Sequence, residues 1–348
     1  MRHKFRAAVI GLAVAFCSVG LAGASLAAVA VPTVEDEQDC RRTAFTATNV
    51  PLVVSSPARV SGELCAAAGD RVVHLLVPGA TYNSSYWDFP YQPERYSYVR
   101  AMRDAGISTF RLDKLGTGGS NRPASLEMSL LSHAEVVRQV AQALRTGSLG
   151  QSFEKVVLVG HSYGTLVTYA AVGADPNLVD GVIATGVSRG PDLPGLVEIL
   201  VTFSHPAWLE GGRFSGLDPG YLTTIPGQRG DFYYGPSVDP QVVAIDEATK
   251  DVQSTTDLAT IGLPLLSTLN FRKPVLNVMG ENDLVFCQLI PCSSPLSPWN
   301  AEPLLFPQVS SYDSLIVRET GHNINLHPNG HVFFEKAIEW TRANISNN

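Results

Sequence analysis

One serine in this chain has the sequence surroundings that a catalytic nucleophile needs. Ser162 is the centre of a G-x-S-x-G pentapeptide, Gly160-His161-Ser162-Tyr163-Gly164. A short apolar run, 155–159, precedes the pentapeptide, and a helix-competent segment, 165–172, follows it. A serine between a strand and a helix lies on a strained turn that exposes its hydroxyl at the end of a sheet. The alternative is a glycine-bounded turn with a surface serine, and this alternative does not require the flanking strand and helix.

A serine hydroxyl is a weak nucleophile at neutral pH, so it needs a base and an acid that orients the base. The predicted acid is Asp283, because it follows the apolar run 274–279 in a turn that can direct a carboxylate back over a sheet. Glu281 is the alternative, because it lies closer to the end of the predicted strand.

The predicted base is His322, which follows the apolar run 314–317. Ser162, Asp283 and His322 then occur in the chain order serine, acid, histidine, which is one of the known orders of such a triad. His327 and His331 are alternatives, but His327 precedes a proline at a predicted helix start, where capping or packing is expected.

The tetrahedral intermediate of acyl transfer needs two backbone N–H donors for its oxyanion. The first predicted donor is the amide of Tyr163, directly after the nucleophile. The second should come from the loop after the first apolar strand, Pro78-Gly79-Ala80-Thr81-Tyr82. We expect Ala80 to supply it, with Thr81 as the alternative. An ordinary turn at Pro78-Gly79 is the competing interpretation.

Apolar strand-like runs alternate with helix-like segments along most of the chain. The predicted strands are 72–77, 107–112, 155–159, 182–185, 274–279 and 314–317, and the predicted helices are 96–105, 132–144, 165–172 and 329–343. Short strands without polar alternation are typical of a mostly parallel sheet that is covered by helices on both faces. His74 lies inside the first strand, where a core position is expected.

One stretch interrupts this alternation. Residues 190–268 are rich in proline, glycine and aromatic residues and fall between two predicted strands. We interpret them as a cap inserted into the sheet domain, although most of its aromatic residues could simply form its own core. The predicted organisation is therefore a signal peptide (1–30), a first core part (31–189), the cap (190–268) and a second core part (269–348).

These motifs together resemble the α/β-hydrolase superfamily of esterases, lipases and acyltransferases over most of residues 70–340. The resemblance rests on the pentapeptide at Ser162, on 280–283, on Gly321-His322, and on a D-x-x-G-x-G-x-S turn at 113–120. It implies an eight-stranded type of sheet with an inserted cap. Many members have His-Gly where this chain has Pro78-Gly79. Haloalkane dehalogenases and epoxide hydrolases resemble the chain less, because their nucleophile is an aspartate.

The N-terminus resembles a secretory signal peptide. Three basic residues fall within residues 2–6, an uncharged apolar run continues to residue 30, and Ala28-Val29-Ala30 fits a small-x-small cleavage site. An uncleaved membrane anchor is the alternative, because the run is long enough to span a bilayer. Its many small residues make it a weak span, so we expect cleavage near Ala30 and no stable membrane insertion afterwards.

Charge and cysteine content agree with an exported enzyme. Removal of residues 1–30 takes away three of 25 basic residues and none of 32 acidic ones, which leaves a net charge of −10. An acidic chain without a basic cluster argues against a nucleic-acid partner. Cys40, Cys65, Cys287 and Cys292 remain, and their even number predicts two disulfides. Three pairings are possible, of which sequence proximity favours Cys40–Cys65 and Cys287–Cys292; a metal site is the less favoured alternative.

The expected activity is therefore a secreted serine hydrolase that cleaves a small-molecule carboxylic ester or lactone through an acyl-enzyme, without cofactor or metal. A peptidase or amidase with the same triad is the second hypothesis. It would need a cap carboxylate for the substrate ammonium, and the candidates are Glu210, Asp231, Asp246 and Glu247. A non-catalytic ligand-binding relative is a third hypothesis, which the presence of all three triad residue types disfavours.

Overall fold

A computed structural model describes residues 40–54, 56–190 and 203–346. The predicted signal peptide, residues 1–30, lies outside the described residues. The strands, numbered in chain order, are β1 (Cys40–Ala47), β2 (Ala58–Cys65), β3 (Val72–Val77), β4 (Ser108–Leu112), β5 (Lys155–His161), β6 (Gly181–Thr185), β7 (Ser204–Pro206), β8 (Tyr221–Thr224), β9 (Gln253–Ser254), β10 (Val275–Gly280) and β11 (Tyr312–Val317).

Eight of these strands form one sheet in the order β1-β2-β4-β3-β5-β6-β10-β11. β1, β2 and β4 pair antiparallel, and every other neighbouring pair in the sheet is parallel. The central strands β3, β4, β5, β6 and β10 are buried almost throughout, as expected for a sheet covered on both faces. The predicted fold class is thereby confirmed.

Helices and helical turns connect the strands. The α-helices are α1 (Pro93–Tyr96), α2 (Tyr98–Asp104), α3 (Leu130–Thr146), α4 (Tyr163–Ala174), α5 (Pro240–Thr249), α6 (Thr255–Ala259) and α7 (Gly330–Thr341). Shorter 3₁₀ turns lie at Ser84–Tyr86, Ser125–Glu127, Ala207–Glu210, Gly212–Phe214, Gln228–Phe232, Pro298–Leu305 and Ile324–Leu326, and a π-turn at Arg342–Ser346 ends the described chain. Within the described residues, no helix combines the length and apolar character needed to cross a bilayer.

The helix predicted at 96–105 begins two residues later in the structure, as α2 (Tyr98–Asp104), and the separate short helix α1 precedes it. Pro93 starts α1, which ends at Tyr96, and Ser97 has extended backbone angles (φ −93°, ψ 113°). Its side chain accepts a hydrogen bond from the Arg100 amide and caps α2. A serine with this geometry breaks the helix because its hydroxyl satisfies an amide that the preceding turn would otherwise bind.

The residues predicted to be catalytic lie at one edge of the sheet because their strands run parallel. Val77 at the end of β3 pairs with Gly160 near the end of β5, and Gly280 at the end of β10 pairs with Val317 at the end of β11. The carboxyl ends of parallel strands share an edge, which is where open α/β sheets bind ligands. The loops after β3, β5, β10 and β11 therefore meet at this edge.

The stretch 190–268, here called the cap segment, contains elements that are separate from the large sheet. β7, β8 and β9 form a three-stranded antiparallel sheet, and α5 and α6 lie in the same stretch. We propose that this segment is a cap inserted into the sheet domain.

The four cysteines form two disulfides in the structure. Cys40–Cys65 joins β1 and β2 at paired positions of the sheet. Cys287–Cys292 closes a short loop beyond β10. These are the pairs that sequence proximity favours. The sulfur atoms of Cys40 and Cys65 lie close to the Glu63 carboxylate. Because they are bonded to each other, they are not free to act as metal ligands.

We predict that buried His74 makes the fold sensitive to acid. Its ring is fully buried in β3 between the hydroxyls of Tyr98 (2.9 Å) and Thr341 (3.0 Å), and burial lowers the pKa of His74 to about 3. Between the unfolded pKa of about 6.5 and this value, the unfolded chain binds more protons, so the free energy of unfolding falls as pH decreases, by up to about 1.4 kcal/mol per pH unit.

Urea unfolding between pH 7 and pH 4 measures this effect. His74→Gln should remove its part of the acid-induced loss of stability, although it lowers stability at pH 7. His331→Gln is the matched control, because His331 is exposed and its change should leave the slope unaltered. Parallel pH profiles for wild type and His74→Gln would contradict the assignment.

Candidate active site

Ser162 lies on the strained turn that its sequence surroundings predict. Its backbone angles are φ 53° and ψ −122°, a region that residues with a side chain rarely adopt. The turn is held because the Ser162 amide donates to the Thr185 carbonyl of β6 at 2.9 Å. Gly160 and Gly164 let the strand and helix pass closely, since a Cβ at Gly164 would clash with the Val77 carbonyl and one at Gly160 would lie 2.6 Å from the Cα of Thr165.

Asp283 and His322 form a buried pair beside this turn. Nδ1 of His322 is 2.8 Å from Oδ2 of Asp283, and the two side chains are 4 % and 0 % exposed. The other carboxylate oxygen, Oδ1, accepts from the amides of Val285 (2.8 Å) and Phe286 (3.2 Å). Because the turn fixes Asp283 through its backbone amides, Oδ2 is held toward the imidazole. His322 and Ser162 line the same cavity.

The alternative triad residues make other contacts. The Glu281 carboxylate accepts from the Glu319 amide at 3.1 Å. His327 is buried, and its Nε2 accepts from the amides of Gly321 (3.0 Å) and Tyr234 (2.9 Å). His327 therefore supports the loop that carries His322. His331 is exposed on α7.

His161 packs directly beneath the site. Its ring stacks on Tyr86 with centroids 4.3 Å apart and lies 4.9 Å from the ring of His322. Burial, and secondarily the nearby His322, hold the pKa of His161 well below its usual value. A neutral His161 does not repel a protonated His322, so the two rings can remain adjacent while His322 carries a proton.

The two predicted oxyanion donors flank the serine. A Cβ placed on Gly79 would lie 3.2 Å from the Cβ of Ser162, so the loop after β3 passes directly over the nucleophile. Ala80 and Tyr163 both line the cavity with Ser162. Neither of their amides donates to another described residue. Two free N–H groups beside a serine can stabilise an oxyanion.

The loop 78–82, here called the oxyanion loop, contains a strained residue of its own. Thr81 has φ 58°, an uncommon value that is most costly for a β-branched side chain. Such a conformation persists only when its surroundings over-determine it. The Asp251 amide donates to the Thr81 carbonyl at 2.7 Å, and two buried cations hold the rest of the loop.

The first cation is Lys114, from the D-x-x-G-x-G-x-S turn after β4. Its Nζ donates to the carbonyls of Gly79 (2.6 Å) and Tyr82 (2.8 Å), so it fixes both ends of the strained segment. Burial lowers the pKa of Lys114 to about 8, and nearby acidic groups, Asp251 first among them, oppose the shift.

The second cation is Arg229, from the cap segment. Its Nη1 donates to Oγ1 of Thr81 at 2.7 Å, and its guanidinium lies 4.0 Å over the ring of Tyr82. Its Nη2 pairs with Oδ1 of Asp246 at 2.7 Å, and both side chains are fully buried. Burial works against the charge, but the Asp246 carboxylate raises the pKa of Arg229 above its usual value, so the residue stays charged.

Asp246 accepts hydrogen bonds from the surrounding tyrosine hydroxyls. Its Oδ2 accepts hydrogen bonds from the hydroxyls of Tyr82 (2.9 Å) and Tyr233 (2.8 Å). The Tyr82 hydroxyl in turn accepts one from the side-chain Nδ2 of Asn323 at 2.6 Å. Burial raises the pKa of both phenols well above the usual value, so both remain donors. Asp246 thus links the cap segment to the oxyanion loop and, through Tyr82, to Asn323 beside His322. Both of its carboxylate oxygens already accept hydrogen bonds within the protein.

The cavity at Ser162 measures about 60 Å³ and is mainly apolar. Among the residues that the structure describes, its apolar walls come from the core and the cap segment: Tyr82, Leu166, Leu222, Phe232, Leu258, Ile261, Val285 and Phe286. Glu210, Asp231, Asp246 and Glu247 do not line it, and Glu210 pairs instead with Lys250 at 2.9 Å.

Sequence reasoning missed the residues that hold the oxyanion loop. Lys114 lies in a turn that the sequence analysis recognised, but a lysine there carries no signal of a buried contact with Gly79. Arg229 and Asp246 lie in the cap segment, where no motif could connect them to Thr81, 148 and 165 residues earlier in the chain.

Comparison with known proteins identifies the family of the chain. Residues 75–332 match the alpha/beta hydrolase family. No curated protein sequence matches the chain at a significant level. Among solved structures, a monoacylglycerol lipase from Paleococcus ferrophilus is 18 % identical, with a TM-score of 0.55 over 88 % of this chain and 99 % of that one.

Two further structures show how wide this likeness is. A thermophilic esterase from Thermogutta terrifontis is 17 % identical, with a TM-score of 0.58 over 87 % of this chain and 98 % of that one. The epoxide hydrolase CorEH is 14 % identical, with a TM-score of 0.54 over 87 % and 99 %. At these identities the structural likeness concerns the fold. Because the family match covers most of its length, the chain is a member of the alpha/beta hydrolase family.

Proposed function

We propose that this protein is an exported serine hydrolase that cleaves a carboxylic ester or lactone. The observation that carries the proposal is the buried Asp283–His322 pair, 2.8 Å apart, whose histidine lines one cavity with Ser162 on its strained turn. A histidine oriented by a carboxylate beside a serine is the arrangement that activates a hydroxyl for attack on a carbonyl.

In the acylation half, Oγ of Ser162 attacks the ester carbonyl carbon while Nε2 of His322 takes the hydroxyl proton. Asp283 accepts from Nδ1–H, which holds the imidazole in the required tautomer and stabilises the imidazolium. The amides of Ala80 and Tyr163 donate to the oxyanion. The intermediate then collapses, His322 returns the proton to the departing alcohol oxygen, and the acyl group remains on Ser162.

In the deacylation half, a water molecule replaces the alcohol. His322 removes a proton from this water as its oxygen attacks the acyl carbon, and the same two amides stabilise the second oxyanion. Collapse breaks the bond to Oγ of Ser162, which takes the proton back from His322. The carboxylic acid leaves and the free enzyme is regenerated. For a lactone, the departing alcohol and the acid are the two ends of one molecule.

The buried cations Lys114 and Arg229 contribute to this mechanism by positioning the oxyanion loop. An oxyanion hole works because its donors are fixed before charge develops, so no reorganisation is needed during the reaction. Thr81 would relax from its left-handed backbone without its contacts to Arg229 and Asp251, and the Ala80 amide would turn with it.

Two observations support an ester over a peptide substrate. The cavity is mainly apolar, and the four cap-segment carboxylates that could have bound a substrate ammonium do not line its described walls. Asp246 in particular is neutralised by Arg229 and hydrogen-bonded to two tyrosines. Export is supported by the signal-like N-terminal sequence and by the two disulfides, which form and persist in oxidising compartments.

Substitution of the triad tests the proposed reaction. Ser162→Ala and His322→Ala should each lower kcat for p-nitrophenyl butyrate by about 10⁶, and Asp283→Asn by about 10⁴, because triad residues act as a unit. Glu281→Gln is the control and should keep most of the activity. Ser162→Ala turnover above about one thousandth of wild type, or a larger loss from Glu281→Gln than from Asp283→Asn, would refute the assignment.

A pair of substitutions at Thr81 tests the positioning of the oxyanion loop. Thr81→Val keeps the shape but removes the acceptor for Arg229, and it should lower kcat about tenfold while KM changes little. Thr81→Ser keeps the hydroxyl and should retain nearly full kcat. Binding of a boronic acid, which mimics the tetrahedral intermediate, should weaken in parallel with kcat. Equal kinetics for the two variants would show that the contact does not position the loop.

The Cys287–Cys292 disulfide should affect activity more than stability. Its loop of about five residues adds about 2 kcal/mol to the free energy of unfolding, against about 3.5 kcal/mol for the longer Cys40–Cys65 loop. The Cys287 amide donates to the Asp283 carbonyl at 2.9 Å, so loss of the bridge loosens the turn that holds the acid.

Serine replacement of each cysteine pair measures this difference. The Cys287/Cys292 double variant should show the larger fall in kcat and the smaller fall in Tm, and the Cys40/Cys65 double variant the reverse. Unchanged kcat in the first variant, at a temperature where it is fully folded, would mean that the bridge stabilises the fold without positioning Asp283.

A further inference from the structure

Two segments beside the catalytic cavity present no charge to the solvent. Residues 258–271 contain no charged side chain, and residues 284–312 contain only Glu302, whereas 16 % of the whole chain is charged. The Glu302 carboxylate lies 2.9 Å from Nη2 of Arg189, and both side chains are only 1 % exposed. Loops at a protein surface normally carry charged residues, so two neighbouring loops without exposed charge need an explanation.

The same two segments expose leucine side chains. The leucines concerned are between 44 % and 80 % exposed, three from each segment: Leu263, Leu265, Leu266, Leu284, Leu296 and Leu304. We call these six residues the leucine surface. A single exposed leucine is ordinary in a folded protein, but several on adjoining uncharged loops indicate a site of interaction.

The two segments are joined by the buried cation Arg189. Its Nη1 donates to Oγ1 of Thr268 (2.7 Å) and to the Leu265 carbonyl (3.3 Å), both in the first segment, and its Nη2 pairs with Glu302 in the second. Oγ1 of Thr268 in turn donates to the Leu305 carbonyl at 2.6 Å. These contacts fasten one segment to the other, so the exposed leucines of both lie on adjoining loops.

The leucine surface adjoins the cavity that contains Ser162. Ile261 of the first segment and Val285 of the second both line this cavity. Leu263 follows Ile261 by two residues, and Leu284 directly precedes Val285. The two segments therefore offer an apolar substrate uncharged contacts both outside the cavity and within it.

We propose that the leucine surface docks on an uncharged lipid surface, so that the substrate is a water-insoluble ester held in that surface. This inference rests on the proposed function. A lipid surface fits because it buries leucine side chains without requiring an ion pair from the protein. A protein partner fits less well, because protein interfaces have a polar rim and about ten hydrogen bonds, and because a protein bound across both segments would lie over the residues that flank the cavity.

The charge of the chain indicates which lipid surface is favoured. The chain has 32 acidic against 25 basic residues, and neither segment contains a lysine or an exposed arginine. Anionic lipids should therefore repel the protein, with no basic group on the docking side to offset the repulsion. We expect docking to zwitterionic or neutral lipid, and we expect it to persist at high salt, because burial of apolar side chains drives it and salt screens only charges.

Co-sedimentation with vesicles tests the docking separately from turnover. The Ser162→Ala variant, which leaves lipid esters intact, should bind dioleoylphosphatidylcholine vesicles equally well at low and high salt, and dioleoylphosphatidylserine vesicles more weakly. Adding Leu266→Glu or Leu296→Glu, one from each segment, should weaken binding about tenfold or more, because a carboxylate must then be desolvated. Leu52→Glu is the matched control, because Leu52 is 62 % exposed but lies between β1 and β2, and it should leave binding unaltered.

Turnover of two butyrate esters then separates this inference from the proposed function. The ratio of turnover for emulsified tributyrin to turnover for dissolved p-nitrophenyl butyrate should fall about tenfold with Leu266→Glu and Leu296→Glu, and should stay constant with Leu52→Glu. Absence of vesicle binding, equal binding by all variants, or dimers that the two glutamates disrupt in place of vesicle binding would overturn the inference and leave the hydrolase proposal intact. Absence of Ser162-dependent turnover of both esters would instead overturn the proposed function, and with it the substrate inferred here, even if the vesicles are bound.

Discussion

The strained backbone at Ser162 is the constraint on which the rest of the structure depends. A serine with φ 53° and ψ −122° is costly, and the fold sustains it by hydrogen-bonding its amide to β6 and by packing glycines on either side. This turn places the hydroxyl at the carboxyl edge of the sheet. The parallel pairing of β3, β5, β10 and β11 brings the loops with the other proposed catalytic residues to that same edge.

A second strained residue, Thr81, connects the site to the cap segment. Its hydroxyl binds Arg229, whose buried charge is paired with Asp246, and Asp246 in turn binds Tyr82 and Tyr233. The cap segment therefore does more than enclose a cavity, because it also holds the oxyanion loop. Since a buried pair is strongly destabilised when one partner is removed, changes at Arg229 or Asp246 should affect both folding and catalysis.

The sequence predicts the fold and the order of the triad because both depend on local patterns. Apolar runs such as β5 and β10 are identifiable as buried strands, and Ser162, Asp283 and His322 each follow one directly. The Arg229–Asp246 pair and its contacts with the oxyanion loop could not be predicted in this way. They lie in a stretch of short strands and turns, where partners are set by tertiary packing across more than a hundred residues. The helix predicted at 96–105 begins only at Tyr98 for a local reason, since the Ser97 side chain caps it there.

A crystal structure of the enzyme after reaction with a p-nitrophenyl alkylphosphonate, whose adduct mimics the tetrahedral intermediate, tests the proposed mechanism most directly. We predict a phosphorus atom bonded to Oγ of Ser162, with its phosphoryl oxygen about 2.7–3.1 Å from the amide nitrogens of Ala80 and Tyr163, and with Thr81 still left-handed and bound to Arg229. Phosphorus on another residue, or a phosphoryl oxygen that contacts neither amide, would contradict the proposed mechanism.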